Sequence, residues 1–172
     1  MIRDQLLLFP ELDPFKTIIK DIDYIDASKI PQFKNVVPTK NKLRDLPTGK
    51  YILFKSGGCN RFLPELGNIF PYVQNMDTKH VYLPTLLKTY IVVILTEEGI
   101  GYTINLSRAS ASAFIVNENP AITYIVDHKN KNRRDYRMSN LRWVTQSQNL
   151  KDKDLSKEGL WDDRVTRYTL IK

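Results

Sequence analysis

The stretch that decides the fold runs from residue 122 to residue 153 and reads ITYIVDHKNKNRRDYRMSNLRWVTQSQNLKDK. Residues 122–126 are apolar and rich in β-branched side chains, which predicts a strand. A polar loop follows, and the sequence NLRWV at 140–144 predicts a second strand. Thr145 and Gln148 have the spacing of a capping box, so a helix is expected to begin there. This order of strand, loop, strand and helix predicts a ββα unit.

Three side chains of this unit suit one chemical task. Asp127 and His128 lie at the end of the first predicted strand, and Asn149 lies in the first turn of the predicted helix. Packing the helix across the hairpin would bring Asn149 near Asp127. Carboxylate and amide oxygens suit Mg²⁺, which usually takes one or two protein ligands and completes its shell with water and phosphate oxygens. A histidine with an ordinary pKa of about 6.5 can take a proton from water. The set therefore predicts a metal-assisted site for phosphodiester hydrolysis.

These residues resemble the HNH endonuclease family, in particular the homing-endonuclease-like branch of phages, large DNA viruses and introns. Asp127 and His128 match the D-H pair of the family pattern, residues 140–145 match its N-L-R-W-V-T, and Asn149 matches its final Asn without a gap. The segment SRASASAFIVNENP, residues 107–120, resembles the R-x-x-A-x-A-F-I-x-N-P stretch that often precedes the motif. The resemblance covers about a quarter of the chain.

The resemblance implies a role for each matched residue. Asp127 would be a metal ligand, and His128 would be the general base that activates water. Asn140 would brace the loop that holds the histidine. Asn149 would be the second ligand of a single Mg²⁺ or Mn²⁺ ion.

The loop departs from the family pattern at two places. Lys131 stands where the family has a glycine, and Asp135 and Tyr136 stand where it has a pair of asparagines. These departures leave the conformation of the loop open. They do not remove the base or the ligands.

The loop and the strand after it carry an excess of positive charge. Between residues 127 and 149 there are six basic and two acidic side chains, a net +4 of the chain's +7. Beside a phosphodiesterase site we expect them to contact phosphates, with a merely solvated face as the alternative. The expected DNA-binding residues are Lys129, Lys131, Arg133, Arg134, Arg137 and Arg142.

The composition narrows the class of protein. The 172 residues include 26 Lys and Arg against 19 Asp and Glu, which permits a polyanionic partner without proving one. Cys59 is the single cysteine, so a disulfide framework or a Cys-rich zinc site within the chain is excluded. The apolar run YIVVIL at 90–95 is far short of the ~20 residues that span a bilayer, and the N-terminus does not read as a signal peptide. We expect a soluble intracellular protein with no membrane partner.

Other elements are predicted upstream of the ββα unit. Residues 89–95 and 102–106 flank a Gly-containing turn, which predicts an antiparallel hairpin. Ser107 is expected to cap a short Ala-rich helix over residues 108–115. Residues 14–24 have apolar side chains at helical spacing, with a proline that suits a first turn.

We therefore expect an α+β fold with a C-terminal ββα-metal nuclease motif, preceded by an antiparallel hairpin region and a short helix. The expected organisation is an N-terminal region of unknown role at 1–79, an HNH nuclease domain at 80–153 with its ββα motif at 122–153, and a C-terminal tail at 154–172.

The expected function is that of a divalent-metal-dependent endonuclease that nicks or breaks DNA. The alternative is a catalytically inactive HNH-scaffold protein that binds nucleic acid or takes part in a structural assembly. The intact set of Asp127, His128 and Asn149 favours the enzyme, whereas the altered loop and the lack of a recognisable specificity module favour the alternative. DNA is the expected partner, and a homodimer stays open. Richness in Ile, Lys, Asn and Tyr would suit a viral or phage origin.

Overall fold

The computed structural model describes residues 22–33 and 45–157. The helix predicted over 14–24 lies largely outside these residues, and Tyr24 itself begins a strand, so the helix does not extend that far. Most of the expected tail at 154–172 also lies outside them. Within the described ranges, no helix has the length and apolar character that crossing a membrane requires.

Four antiparallel strands form a sheet in the N-terminal half of the chain. They are β1 (Tyr24–Asp26), β2 (Tyr51–Gly58), β3 (Phe70–Asn75) and β4 (Val81–Tyr82). Their order is β1-β2-β3-β4. In β2, Tyr51 and Leu53 are buried while Ile52 and Phe54 are partly exposed, because alternate side chains of a strand point to opposite faces.

Strand β2 contains an irregularity near its C-terminal end. The register with β3 shifts between Phe54 and Gly58, which marks a bulge. A Cβ atom on Gly58 would lie 2.6 Å from the Cβ of Tyr72. Only glycine therefore lets the two strands approach this closely.

A second antiparallel sheet contains the predicted hairpin, which is confirmed. Its strands are β5 (Thr85–Leu87), β6 (Tyr90–Glu97) and β7 (Ile100–Asn105). Glu98 and Gly99 form the two-residue turn between β6 and β7, with φ angles of 49° and 74°. Two positive φ angles are typical of the turn type whose twist matches the flanking strands.

The short Ala-rich helix is α1 (Leu106–Phe114). Asn105 caps it, because its Oδ1 accepts a hydrogen bond from the main-chain N–H of Arg108 at 2.9 Å. The expected cap at Ser107 is therefore wrong: Ser107 lies inside the first turn and is buried. Its hydroxyl is thereby available to another element.

The ββα unit follows α1. It consists of β8 (Ile125–His128), β9 (Leu141–Val144) and α2 (Gln146–Lys157), with β8 and β9 antiparallel. The capping box is confirmed: Thr145 N–H donates to Gln148 Oε1 at 2.9 Å, and Gln148 N–H donates to Thr145 Oγ1 at 3.1 Å. The α+β architecture predicted from the sequence is thus present in the structure.

One hydrophobic core joins the N-terminal sheet, the hairpin, α1 and the loop between β8 and β9. Tyr136 in that loop is buried, and its ring centroid lies 4.9 Å from that of Phe70 in β3. The buried Asn60 donates from Nδ2 to the main-chain oxygen of Arg134 at 2.8 Å. The loop is therefore fixed against the N-terminal half. The boundary expected between residues 79 and 80 stays a prediction, and the core contains residues from both sides of it.

Candidate active site

His128 ends strand β8, where it is 6% exposed. Its Nε2 lies 3.0 Å from the Oγ of Ser107, which projects from the first turn of α1. Burial lowers the pKa of His128 to about 4, against the opposing effect of the nearby Asp127 charge. The imidazole is therefore neutral at pH 7 and can accept a proton.

A cleft of about 410 Å³ opens beside His128. Ser107, Arg108 and Tyr124 contribute to its walls. The Arg108 guanidinium lies 5.0 Å from the ring centroid of Trp143 and donates a hydrogen bond to the main-chain oxygen of Tyr124. Partial burial lowers the pKa of this guanidinium, which nevertheless stays charged at neutral pH. The cleft thus combines a neutral imidazole with a fixed cation.

Asp127 precedes His128 and is held by two cationic side chains. In the β8–β9 ladder Asp127 is paired directly with Arg142, whose Nε and second terminal nitrogen lie 2.8 and 2.7 Å from Asp127 Oδ2. Lys131 Nζ lies 3.0 Å from Oδ1 and 2.9 Å from Oδ2. Both oxygens of the carboxylate therefore face positive charge.

Lys131 adopts the conformation that the glycine of the family pattern suggests. Its φ angle is +59°, in the left-handed region, and its N–H donates to the oxygen of His128 at 2.8 Å. This hydrogen bond closes the turn after β8. The departure from glycine thus preserves the turn and adds an ammonium group beside Asp127.

Asn140 connects the two ends of the loop. Its Nδ2 donates to the main-chain oxygen of Asp135 at 2.7 Å and to Asn130 Oδ1 at 2.8 Å, and its Oδ1 accepts from Asn130 N–H at 3.0 Å. Its main-chain oxygen accepts from Lys129 N–H at 2.8 Å. Both the Nδ2 and the Oδ1 of the buried Asn140 side chain therefore have hydrogen-bond partners.

The remaining basic residues of the loop have distinct surroundings. Arg137 forms a two-pronged ion pair with the buried Asp135, at 2.7 and 2.6 Å, and this contact raises its pKa. Arg133 donates to Thr89 Oγ1 at 3.1 Å, and its guanidinium lies 5.3 Å from the Tyr90 ring centroid. Lys129 Nζ donates a hydrogen bond to the main-chain oxygen of Ser139 at 2.8 Å. The main-chain oxygen of Arg134 accepts a hydrogen bond from Asn60 Nδ2.

Asn149 lies in α2, and its N–H donates to the oxygen of Thr145 at 3.0 Å. The helix packs against β8, the strand of Asp127, and Asn149 is half-buried. Within residues 22–33 and 45–157, no group of three or more His, Cys, Asp or Glu side chains is placed to hold a metal ion.

The sequence analysis missed three side-chain contacts at this site. It assigned Ser107 to a helix cap, whereas the hydroxyl contacts His128. It assigned Arg142 and Lys131 to phosphates, whereas both contact Asp127. The strand register Asp127–Arg142 was a signal for the second contact, since directly opposed side chains of a hairpin interact.

A strand hairpin, a braced loop and a packed helix, with Asp and His at the end of the first strand, define the ββα-metal class of nuclease motif. Residues 118–151 match the family model described as HNH endonuclease. The resemblance drawn from the sequence is therefore confirmed, and the chain carries an HNH endonuclease motif over these residues.

One solved structure similar to the chain is titled "DNA binding and cleavage by the HNH homing endonuclease I-HmuI". The two are 20% identical with a TM-score of 0.51, over 82% of this chain and 62% of that chain. The likeness shows a shared fold, and the chain spans less than two thirds of the other protein's length. No curated protein matches the chain.

Proposed function

We propose that this protein is a divalent-metal-dependent endonuclease that hydrolyses DNA phosphodiester bonds, with His128 as the general base. The observation that carries the proposal is the fixed imidazole of His128 beside the Asp127 carboxylate at the end of β8. His128 lines a cleft with a cationic wall, and the helix that bears Asn149 packs against β8. The family match and the DNA-cleaving protein of similar fold support it.

His128 would take a proton from the attacking water at Nδ1. The other ring nitrogen, Nε2, lies beside Ser107 Oγ, and a proton on Nε2 can be donated to that oxygen. This arrangement leaves the lone pair on Nδ1, because a neutral imidazole carries one proton. Ser107 is thus proposed as a positioning residue that selects the tautomer and orients the ring.

The donor set fits a hard divalent ion such as Mg²⁺ or Mn²⁺. Asp127 offers carboxylate oxygens, already surrounded by positive charge in this structure, and Asn149 offers an amide oxygen. We propose these two as the metal ligands and Asn140 as the brace of the loop. When bound, the ion would stabilise the charge that develops on the phosphate and its leaving group.

DNA is the proposed substrate. The net charge of +4 between residues 127 and 149, together with the cleft cation Arg108, supports attraction of a phosphate backbone. Contacts to phosphate position a duplex without reading its sequence. Sequence preference would therefore depend on other parts of the chain.

One observation favours the alternative of a catalytically inactive scaffold that binds nucleic acid. Lys131 Nζ faces both oxygens of Asp127, where a metal ligand must be accessible to the ion. If the Lys131 ammonium stayed on Asp127 permanently, it would take the place of the metal and abolish catalysis.

A nicking assay on supercoiled plasmid separates the two functions. Wild-type protein is incubated with Mg²⁺, with Mn²⁺ and with EDTA, beside His128→Ala at matched concentration. If the protein is a nuclease, wild type should nick the plasmid only with metal present, and the nicking rate should fall by at least ~10²-fold in His128→Ala because the general base is lost. Absence of cutting by folded wild-type protein on every DNA tried, together with retained DNA binding, would favour the scaffold.

A further inference from the structure

The contact between Lys131 and Asp127 is short, two-sided and sheltered. Lys131 Nζ lies 3.0 and 2.9 Å from the two carboxylate oxygens, and the exposed fractions of the Lys131 and Asp127 side chains are 14% and 10%. Arg142 adds its guanidinium to Oδ2 of the same carboxylate. A single negative group thus has two cationic neighbours before any metal arrives.

We propose that Lys131 competes with the divalent ion for Asp127, so that the metal binds fully only after DNA has drawn the lysine away. This inference rests on the proposed function of the site. A divalent ion that approached the occupied carboxylate would meet the repulsion of an ammonium at close range, in partly buried surroundings that screen charge poorly. Binding of the metal therefore requires that the lysine leave.

The backbone of the loop lets the side chain move alone. The Lys131 N–H is bonded to the His128 oxygen, and the asparagine brace through Asn130 and Asn140 holds the turn. Only the flexible four-carbon stem of the lysine needs to rotate. A phosphate group placed beside His128 would offer the ammonium an alternative anion within reach of the same loop.

The backbone conformation of Lys131 is shared with two other lysines of the chain, Lys79 and Lys88, whose φ angles are 59° and 55°. A left-handed φ of +59° strains a residue with a Cβ atom and suits glycine. A lysine at such a position lacks the conformational freedom that glycine would have there. The ion pair with Asp127, and not the strained backbone, therefore indicates a specific role for this lysine.

The test is metal binding to the full chain without DNA. Mn²⁺ is titrated against wild type, Lys131→Gly and Lys131→Met, with free ion measured by electron paramagnetic resonance. Removal of the competing ammonium should tighten Mn²⁺ binding by about 10–100-fold, the scale on which neighbours of a metal ligand alter affinity. The gain should vanish when Asp127→Asn is added to Lys131→Met.

Lys129→Met is the matched control. It removes the same charge two residues away, from a side chain bonded to the Ser139 oxygen rather than to Asp127. Its Mn²⁺ affinity should stay close to that of wild type. Equal gains in the two methionine variants would mean that general charge, and not contact, is responsible, and would overturn the proposal. Thermal unfolding of each variant verifies that it is folded.

The coupling to DNA has its own measurement. Binding to a random duplex is followed by fluorescence anisotropy with and without Ca²⁺. Because coupling between two ligands is reciprocal, Ca²⁺ should strengthen DNA binding more in wild type than in Lys131→Met. An equal effect would overturn the coupling. Unchanged Mn²⁺ affinity in both Lys131 variants, with nicking by wild type intact, would overturn the competition while leaving the nuclease function standing.

Discussion

Ser107 Oγ and His128 Nε2 lie 3.0 Å apart, although the two residues are 21 positions apart in the chain. The hydroxyl comes from the first turn of α1, and the imidazole ends β8. The helix before the motif therefore sets the orientation of the ring at the proposed site. The segment at 107–120, which the sequence places before the motif, therefore contributes a side chain to the proposed site.

Ser107→Ala should lower kcat for nicking by roughly 10- to 100-fold with little change in KM, because a misoriented base acts at a poorer geometry. The lost hydrogen bond should reduce the free energy of unfolding by about 1 kcal/mol. Single-turnover nicking kinetics and urea denaturation provide the two measurements.

Ser110→Ala is the control for that variant. Ser110 lies on the same helix and is fully buried, and within the described part of the chain its Oγ has no hydrogen-bond partner. Its removal should leave nicking unchanged and raise the free energy of unfolding by up to about 1 kcal/mol, since a buried unpaired hydroxyl is unfavourable. Equal losses of kcat in the two variants would show that Ser107 acts through packing alone.

Asp127→Ala should abolish metal-dependent nicking, since it removes the proposed anionic ligand. Asn149→Asp should retain partial activity, because a carboxylate can replace an amide oxygen on a hard cation. Rates over a range of Mg²⁺ concentrations measure both effects. Full activity in Asp127→Ala would exclude that residue as a ligand.

The salt dependence of DNA binding tests the basic loop. Each lost phosphate contact lowers the slope of log K against log salt by about 0.9 for duplex DNA, so Arg133→Ala with Arg134→Ala should flatten it by about one to two units. Anisotropy at several salt concentrations, in Ca²⁺, is the measurement. Lys79→Ala, in the turn between β3 and β4, should leave the slope unchanged. The same slope in wild type and the double variant would assign the loop charges to solvent.

Asn140→Ala should destabilise the protein by about 2–4 kcal/mol, because the partners of a buried amide at Asn130 and Asp135 lose their hydrogen bonds. Asn132→Ala in the same loop removes one main-chain contact, to Arg134 N–H, and should cost only about 1 kcal/mol. Denaturant unfolding compares the two. Similar losses would remove the special bracing role from Asn140.

The local patterns of the sequence predicted the ββα unit well. The capping box at Thr145 and Gln148 and the strand end at Asp127 and His128 follow from residues close together in the chain. The first strand begins three residues later than the sequence predicts, because Thr123 is tied into a turn by hydrogen bonds to Asn117 and Asn119.

Contacts between distant residues explain what the sequence could not predict. Asn105 and Ser107 are both acceptable caps, and only the position of His128 shows why the serine lies inside the helix. Similarly, the presence of Lys131 at the glycine position of the family pattern does not predict which side chain it contacts. Its contact with Asp127 requires the turn geometry that the fold supplies.

The hydrogen bond from Asn60 to Arg134 and the ring contact between Phe70 and Tyr136 bear on how this nuclease motif could be reused. A protein engineer who cut out residues 118–151 as a portable cassette would uncover the Tyr136 ring and leave the Arg134 carbonyl without its Asn60 donor. The new host would have to supply an aromatic surface and an amide in the same places. The loop between β8 and β9 is thus held to the N-terminal half of the chain by side-chain contacts, and a transplant keeps these contacts when it carries that half with the motif.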